Sequence, residues 1–395
     1  MPTQSTDIYV PGAPAIQFSQ SGQKWKIDKN VDVGSSVPAI VSEYTNNTVS
    51  NKGTIYSYAN AGVYFTKDNA TLINKETGYI NGGMSGVYFE SASITDLKGF
   101  VFNYGQIFGH DAGVANLGMS DFVVENRGEI YGHQNGIYSE AANAGSTAGP
   151  VIKNAGAITS DNYGVFVDAP GLRSKIVNQK DGVIKGGMFG EPGAAVFNEG
   201  GKMTLVNKGK IKGDIDSENV DKDTVTNTGK IKGDIDLGGA NDTIDNTGGM
   251  IKGDVRLGKG DDTFDNRDGK VTGRIFGESG KDTLIAGDAR DTFVFFGVID
   301  GTTNIDRIKK FESGKDTFIL EQTAFNTLGS GPLAKSAFRK GTEAKDGDDR
   351  IIYDQDTGKL YLDSNGNAGG GQVQFAKVDP GQTLKYSDFT VELFV

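Results

Sequence analysis

Acidic turns that recur at a constant interval are the part of this sequence best suited to chemistry. Asp242, Asp262 and Asp282 each precede a threonine and an apolar residue, and they are equally spaced along the chain. Small or polar residues stand just before them, namely Gly238, Asn241, Gly258, Gly260 and Gly280. Glycine lets the backbone turn tightly and expose its carbonyl oxygens, and aspartate adds a carboxylate. Because Ca2+ prefers oxygen ligands, the pattern predicts one row of calcium sites, and Asp291 is added as a further ligand.

Charge repulsion gives a second reason to expect a cation at these turns. If the aspartates lie above one another in successive turns, their charges are ~5 Å apart and repel by roughly 1–3 kcal/mol per pair. Lysines accompany the aspartates of the repeated Ile-Lys-Gly-Asp phrase, but fewer stand beside the acidic turns. The alternative is that the turns are solvated corners that hold no metal.

The acidic turns belong to a longer repeat, which is marked by asparagine. These asparagines are Asn51, Asn74, Asn103, Asn126, Asn154, Asn178, Asn207, Asn227, Asn246 and Asn266. Each long unit also contains two short apolar segments, so three short strands alternate with glycine or asparagine turns. Such a repeat predicts an all-β fold, a right-handed parallel β-helix of about ten rungs. The asparagine amides are expected to form a ladder at one corner.

The repeat also suggests how the chain divides. Residues 1–45 are predicted to cap the first rung, and residues 46–285 to form the β-helix, with acidic turns from about residue 237. Residues 286–395 are predicted to form a C-terminal β domain. The repeat becomes shorter from Asn207 onward, so the later rungs are expected to lose a strand or a loop.

Composition excludes several classes of protein. The net charge of −11 argues against a nucleic-acid partner. Cysteine is absent, which excludes disulfides and thiolate metal sites. We expect no cleaved signal peptide, because the first residues lack a basic and an apolar region. We also expect no transmembrane helix, because no apolar run approaches the required length.

Two of the acidic turns resemble a known family. Leu257-Gly-Lys-Gly-Asp-Asp-Thr-Phe-Asp and Gly277-Glu-Ser-Gly-Lys-Asp-Thr-Leu-Ile are similar to the nonapeptide G-G-x-G-x-D-x-U-x of RTX, or haemolysin-type, calcium-binding secreted proteins. The copy at Leu237 has Ala240 where a glycine is expected. The resemblance implies Ca2+ as a cofactor. RTX nonapeptides usually follow one another directly, whereas these turns are a whole repeat apart, so a single row of sites is expected.

The last hundred residues carry a second resemblance. The stretch from Asn304 to Leu320 is similar to the C-terminal region of serralysin-type secreted proteins, although Lys310 replaces an aspartate of their pattern. The end, Ser387-Asp-Phe-Thr-Val-Glu-Leu-Phe-Val, resembles an uncleaved type I secretion signal. These resemblances imply export by type I secretion machinery and an extracellular or cell-surface location. Residues 349–366 are predicted to form a hairpin around an Asp-Thr-Gly turn.

Two further groups could contact a ligand. His110 and His133 occupy the same point of adjacent repeats and should stack, and with Asp111 they could bind a metal or transfer protons. Repetition of one turn is the favoured explanation of the pair. The second group is a row of aromatic residues predicted to face outward, Tyr64, Tyr88, Tyr138, Phe166 and Phe197. Such a row could stack on sugars, but self-stacking or burial under a loop is an equal alternative.

Together these observations predict a secreted, calcium-binding β-helix that resembles autotransporter-type adhesins. Its expected role is attachment to glycans, a cell surface or extracellular matrix, and no residue is assigned a catalytic role. The alternative is a secreted polysaccharide lyase, hydrolase or epimerase built on the same scaffold.

Overall fold

The chain folds as the right-handed parallel β-helix that its repeat predicts. The computed structural model describes residues 1–91, 98–141, 148–187 and 193–394. The β-helix has about 13 turns. Contacts divide the chain into two units, Met1–Asp221 and Lys222–Val395. The turns exceed the predicted ten because residues 1–45 and residues beyond Ile285 also form rungs.

Each rung of the first unit contains three strands, which we name after their characteristic residues. The asparagine strands are Thr3–Gln4, Lys24–Ile27, Thr48–Asn51, Ala70–Asn74, Lys98–Asn103, Asp121–Asn126 and Ala148–Asn154, with the last parts of Tyr163–Asn178 and Ala194–Asn207. The isoleucine strands are Ile8–Val10, Asp32–Ser35, Thr54–Ser57, Tyr79–Gly82, Gln106–Gly109, Glu129–Gly132, Ala157–Ser160, Val183–Lys185 and Lys210–Lys212. The aromatic strands are Ile16–Gln17, Ile40–Ser42, Val63–Phe65, Ser85–Glu90, Ala112–Leu117, Asn135–Glu140 and Asp214–Ser217, with the first parts of the two long strands.

The second unit continues the same three kinds of strand. Its asparagine strands are Thr224–Asn227, Thr243–Asp245, Thr263–Asp265, Thr283–Ile285 and Asp306–Lys309, and its isoleucine strands are Lys230–Lys232, Met250–Ile251 and Lys270–Val271. Its aromatic strands are Ile235–Asp236, Val255–Arg256, Ile275–Phe276, Thr292–Phe295, Thr317–Glu321 and Phe389–Glu392. The remaining elements are strands Gly331–Pro332, Phe338–Lys340, Ile351–Asp354, Lys359–Asp363 and Gln372–Lys377, and 3-10 helices Lys335–Ala337 and Tyr386–Asp388.

Alternation of apolar and polar residues decides which side chains fill the interior. Ile55, Ile80 and Ile107 are fully buried and lie above one another in register. Each such side chain contributes roughly 1.5–3 kcal/mol by leaving water. Because side chains alternate across a strand, the neighbouring residues on each rung face outward.

The asparagine ladder is confirmed. In the first unit each amide nitrogen donates to the Oδ1 of the next asparagine, from Asn51 to Asn207, at 2.8 to 2.9 Å. In the second unit Asn227 donates to Asn246 and Asn246 to Asn266, both at 2.7 Å. Because these amides are buried, each bond also avoids the cost of an unsatisfied polar group.

The shorter period of the second unit arises from shorter strands. The aromatic strand falls from six residues in Ser85–Glu90 to two in Ile235–Asp236. All three kinds of strand persist, however, from Lys230 to Phe276. The rungs between Lys230 and Phe276 therefore shorten their strands and keep all three, whereas among the described residues beyond Phe276 the isoleucine strand is lost.

The two ends of the chain extend the helix in different ways. Residues 1–45, predicted as a cap, form strands in register with the rungs that follow. Near the other end, Ile351–Asp354 pairs antiparallel with Lys359–Asp363, so the predicted hairpin is confirmed. Phe389–Glu392 pairs with Thr317–Glu321, and Phe389 is fully buried. Across the described ranges, no helix has the length and apolar character needed to cross a bilayer.

Candidate functional site

The predicted calcium ligands Asp242, Asp262 and Asp282 form a vertical row inside the second unit. All three side chains are buried, with 1 to 2% of their surface exposed. The Oδ1 atom of Asp262 accepts the backbone N–H of Asp242 at 2.6 Å, and that of Asp282 accepts the N–H of Asp262 at 2.8 Å. Asp306 continues the row by accepting the N–H of Asp282 at 3.2 Å. We call these four residues the aspartate row.

Three members of the aspartate row keep one carboxylate oxygen without a partner among the described residues. Within the described residues, the Oδ2 atoms of Asp242, Asp262 and Asp282 are buried and have no hydrogen bond. The Oδ2 of Asp282 faces the backbone of Gly277 so closely that a Cβ on that glycine would lie 2.3 Å away. Buried polar atoms without a partner are rare, so these oxygens point to a missing ligand or to protonation.

The turns that lead into the row are built as their glycines predict. Gly260 has a φ of +141°, and a Cβ there would lie 2.0 Å from the carbonyl oxygen of Ala240. Ala240 itself adopts a φ of +79°, which a residue other than glycine rarely does. These turns, with Asn241 and Asp261, line an open cleft of about 720 Å³. The cleft gives solvent and ions access to the outer side of the turns.

Burial changes the acidity of the row. It raises the pKa of Asp242 to about 8 and that of Asp262 to about 7. Burial also raises the pKa of Asp282, and the neighbouring Asp306 carboxyl raises it further. The row therefore holds a negative charge poorly unless a cation balances it.

A cation fits the row only with help from other oxygens. No three acidic, histidine or cysteine side chains of the described residues converge to hold a metal ion. A calcium ion takes six to eight oxygen ligands and accepts backbone carbonyls and water among them. The donor set here is oxygen only, with one unpartnered carboxylate oxygen from each of three rungs. The residues are thus compatible with Ca2+ if turn carbonyls and water complete the shell.

Asp291 lies apart from the aspartate row. Its Oδ1 accepts the amide of Asn266 at 2.8 Å, and its Oδ2 accepts the N–H of Gly287 at 2.7 Å. It therefore closes the asparagine ladder, and both of its oxygens have partners inside the protein. Burial is the main cause of its raised pKa, about 6.

The two histidines stack as predicted. The backbone N–H of His133 donates to the backbone carbonyl of His110 at 3.1 Å, and the centroids of the two imidazole rings are 5.3 Å apart. His110 contacts Asp111, whereas the Nδ1 of His133 lies 2.7 Å from Asp161, which also accepts the hydroxyl of Tyr131. The His133 side chain is 51% exposed, and exposed pairs of this kind stabilise a protein by little.

The predicted aromatic row lies in register on the aromatic strands. Ala115 divides it into two groups, the first formed by Tyr64 and Tyr88 and the second by Tyr138, Phe166 and Phe197. Ring centroids within each group are 5.0 to 5.3 Å apart. Phe197 is only 8% exposed because Phe166 and Tyr163 pack on it. Self-stacking therefore contributes to both groups.

Carboxylates surround the second aromatic group. A groove of about 460 Å³ is lined by Tyr163, Phe166 and Phe197 together with Glu199 and Glu218. Burial raises the pKa of Tyr163, and the nearby carboxylates raise it further. Aromatic rings beside hydrogen-bond acceptors suit the apolar faces and hydroxyls of sugars.

Sequence reasoning missed three contributors to these sites. Asp161 and Tyr163 belong to rungs whose lengths differ, so their neighbours could not be found by a fixed offset. Asp306 could have been found from the alternation of inward and outward side chains along a strand. In Asp306-Arg-Ile the aspartate shares the inward parity of Ile308, as Asp262 shares that of Phe264.

Comparison with known proteins assigns no family to the chain. It matches no protein-family model and no curated protein.

Proposed function

We propose that this protein is a secreted β-helix that binds Ca2+ through the aspartate row and attaches to a cell surface or extracellular matrix. The observation that carries the calcium assignment is the set of three buried carboxylates, each with one unpartnered oxygen among the described residues. The repeated rungs and the aromatic groove support a role in attachment.

A buried carboxylate without a partner is costly, and the cost is relieved by a proton or by a cation. At neutral or higher pH a proton becomes scarce, and a cation can take its place. Asp242, Asp262 and Asp282 would hold the ion together with turn carbonyls, and the ion would supply positive charge that ties neighbouring rungs together. Extracellular sites of this type bind Ca2+ with dissociation constants of about 10⁻⁴–10⁻³ M.

Attachment is supported by the surface of the first unit. Its aromatic groove combines the half-buried rings of Tyr163 and Phe166 with the carboxylates of Glu199 and Glu218. A β-helix places equivalent positions of successive rungs at intervals of ~4.8 Å, and so offers an extended surface to an extended ligand. The resemblance of the C-terminal residues to a type I secretion signal supports an extracellular location.

Calcium binding by the full chain tests the proposal directly. Equilibrium dialysis at pH 7.5 should detect Ca2+ binding that Asp262→Asn reduces, because the substitution removes one charge from the row. Asp261→Asn is the matched control, since Asp261 is exposed on the same turn and its Oδ1 accepts the N–H of Lys281 at 2.9 Å. Equal binding by the two variants, or no binding by the parent, would reject the calcium assignment.

The enzymatic alternative is tested on the same preparation. Acidic and neutral polysaccharides are incubated with the protein and millimolar Ca2+, and soluble products are measured. The attachment proposal predicts retention of the polysaccharide without product release. Release of shortened or unsaturated products would replace attachment by catalysis.

A further inference from the structure

A second column of side chains, outside the aromatic and acidic sites, follows the turns after the asparagine strands of the first unit. Lys52, Lys75, Tyr104 and Arg127 each stand directly after a ladder asparagine. The backbone N–H of Lys75 donates to Asn51 at 2.8 Å, and those of Tyr104 and Arg127 donate to the next two ladder residues at 2.8 and 2.7 Å. The four residues therefore lie one above another, a rung of ~4.8 Å apart. We call them the basic column.

The side chains of the basic column contact one another around the tyrosine. The Nζ of Lys75 lies 5.6 Å from the centre of the Tyr104 ring, and the guanidinium carbon of Arg127 lies 5.9 Å from it. Tyr104 is 37% exposed. Lys29 joins from the preceding rung, and with Lys52, Lys75, Thr77 and Tyr104 it lines a cleft of about 540 Å³. The cleft thus combines an aromatic ring with three ammonium groups.

The charge of the column is unusual for this chain. The protein carries a net charge of −11, yet Lys29, Lys52, Lys75 and Arg127 take part in none of the ion pairs formed within the described ranges. Glu76 also lines the cleft, and its carboxylate lies beyond ion-pair distance of these four cations. Unit charges ~5 Å apart repel by roughly 1–3 kcal/mol. An anionic ligand would attract these cations and offset the repulsion between them.

We infer that the basic column binds a linear polysaccharide that carries a carboxylate or sulfate group on its sugar units. The column is straight and has one charged or aromatic side chain per rung, and an extended sugar unit is about as long as a rung. The ammonium and guanidinium groups bind the anionic substituents, and the exposed part of Tyr104 contacts the apolar face of a sugar ring. This inference deepens the proposed function, on which it rests, by naming the class of glycan.

The favoured ligand is a glycan because the protein as a whole carries a net negative charge. A nucleic acid carries its charge along a wide double helix or a flexible strand, and the carboxylates that give the net charge of −11 would repel it. The basic column is narrow and confined to one corner of four rungs. A single extended polysaccharide chain can follow it without crossing the acidic faces.

Binding of polysaccharides to the full chain tests the inference. The probes are polygalacturonate for carboxylates, dextran sulfate for sulfates, and neutral dextran, each measured by calorimetry in low salt with EDTA present. The double variant Lys52→Gln/Lys75→Gln keeps much of the length of both side chains and removes two charges. Its matched control is Lys180→Gln/Lys208→Gln, which removes two exposed charges near the same corner of later rungs.

We expect the first double variant to weaken binding of at least one charged polysaccharide by roughly 5- to 20-fold, and the control by less than about twofold. Tyr104→Ala should weaken it further, whereas Tyr104→Phe should bind like the parent. Equal losses in both double variants, or equal binding of neutral dextran, would overturn the inference. Single-stranded DNA binding as tightly, with the same sensitivity, would also overturn it. Since EDTA is present and the column lies in the first unit, loss of calcium binding would leave this result unaffected.

Discussion

Without metal, the second unit should lose stability as the pH rises from about 5 to 7, and the aspartate row is the reason. Burial raises the pKa of Asp242 to about 8 and of Asp262 to about 7. In the unfolded chain an aspartate has a pKa of about 3.9. Between these values the folded protein binds protons that the unfolded chain has released, so a rise in pH favours unfolding. The stabilising contribution is present below about pH 4 and is lost as the pH rises through the folded pKa.

The size of this loss of stability follows from the same pKa shifts. Each carboxyl contributes up to about 1.4 kcal/mol per pH unit, so Asp242 and Asp262 together contribute up to about 5 kcal/mol between pH 5 and 7. Screening by solvent at the turn reduces this figure, and we expect a loss of about 3 kcal/mol. A typical domain is stable by only about 5–15 kcal/mol, so the loss is large.

Hydrogen exchange measured by mass spectrometry in EDTA can locate the effect. Peptides that cover residues 240–290 should exchange faster at pH 7 than at pH 5, after correction for the intrinsic exchange rate. Peptides that cover residues 100–160 provide the internal control. The variant Asp242→Asn/Asp262→Asn should reduce the difference, because neither amide titrates, while Asp282 and Asp306 retain their raised pKa values and keep the remainder. Millimolar Ca2+ should also remove it.

Two results would refute this reasoning. Protection of residues 240–290 that is the same at pH 5 and 7 in the parent would show that the row does not hold protons. A pH dependence that persists unchanged in the double variant would assign it to other groups.

Three further predictions concern the ladder, the turn and export. Asn126→Ala should lower the free energy of unfolding in urea by about 3 kcal/mol, because it leaves the neighbouring ladder amides without their partner. The control Asn81→Ala removes an exposed amide and should change the free energy of unfolding little. Equal effects of the two substitutions would contradict the stabilising role of the ladder. Ala240→Gly should stabilise the second unit by about 0.5–1 kcal/mol, because it relieves the positive φ of Ala240. The melting temperature of the second unit should therefore rise, and a decrease would contradict this. Residues 296–395 fused to a passenger should be found in the medium of a host with a type I exporter, and a passenger retained in the cells would contradict the export proposal.

The asparagine ladder could be predicted because its chemistry is repetitive. An amide at one corner of each rung can bond only the amide above or below it, so spacing alone identifies the partners. The same reasoning identified the stacking of His110 and His133. Both predictions depend only on equivalent positions in adjacent rungs, which the sequence reveals directly.

The aspartate row was only half predictable. The constant step placed Asp242, Asp262 and Asp282 together, but it did not show whether their side chains face the solvent or the interior. The structure buries them because each shares the parity of an inward apolar residue two positions later, as Asp262 does with Phe264. The hydrogen bond to the backbone N–H of the preceding rung and the unpartnered second oxygen are visible only in the folded structure.

The basic column could also be predicted only in part, for a different reason. Each of its members directly follows a ladder asparagine, so the sequence contains their alignment. It does not contain the directions of their long side chains, which decide whether lysines find carboxylates or remain together. Local composition also obscures part of the column, because Glu76 follows Lys75 and because Glu125 and Glu129 flank Arg127.

The amides of the asparagine ladder all point the same way, and this alignment has an electrostatic consequence. In the second unit Asn227, Asn246 and Asn266 each donate toward the C-terminal side, so their dipoles add head to tail, as peptide dipoles do in an α-helix. The positive end of this stack meets Asp291. A carboxylate accepts but cannot donate, so it ends the series and places negative charge where the summed dipole favours it. The aligned side-chain amides thereby create a small macrodipole without an α-helix.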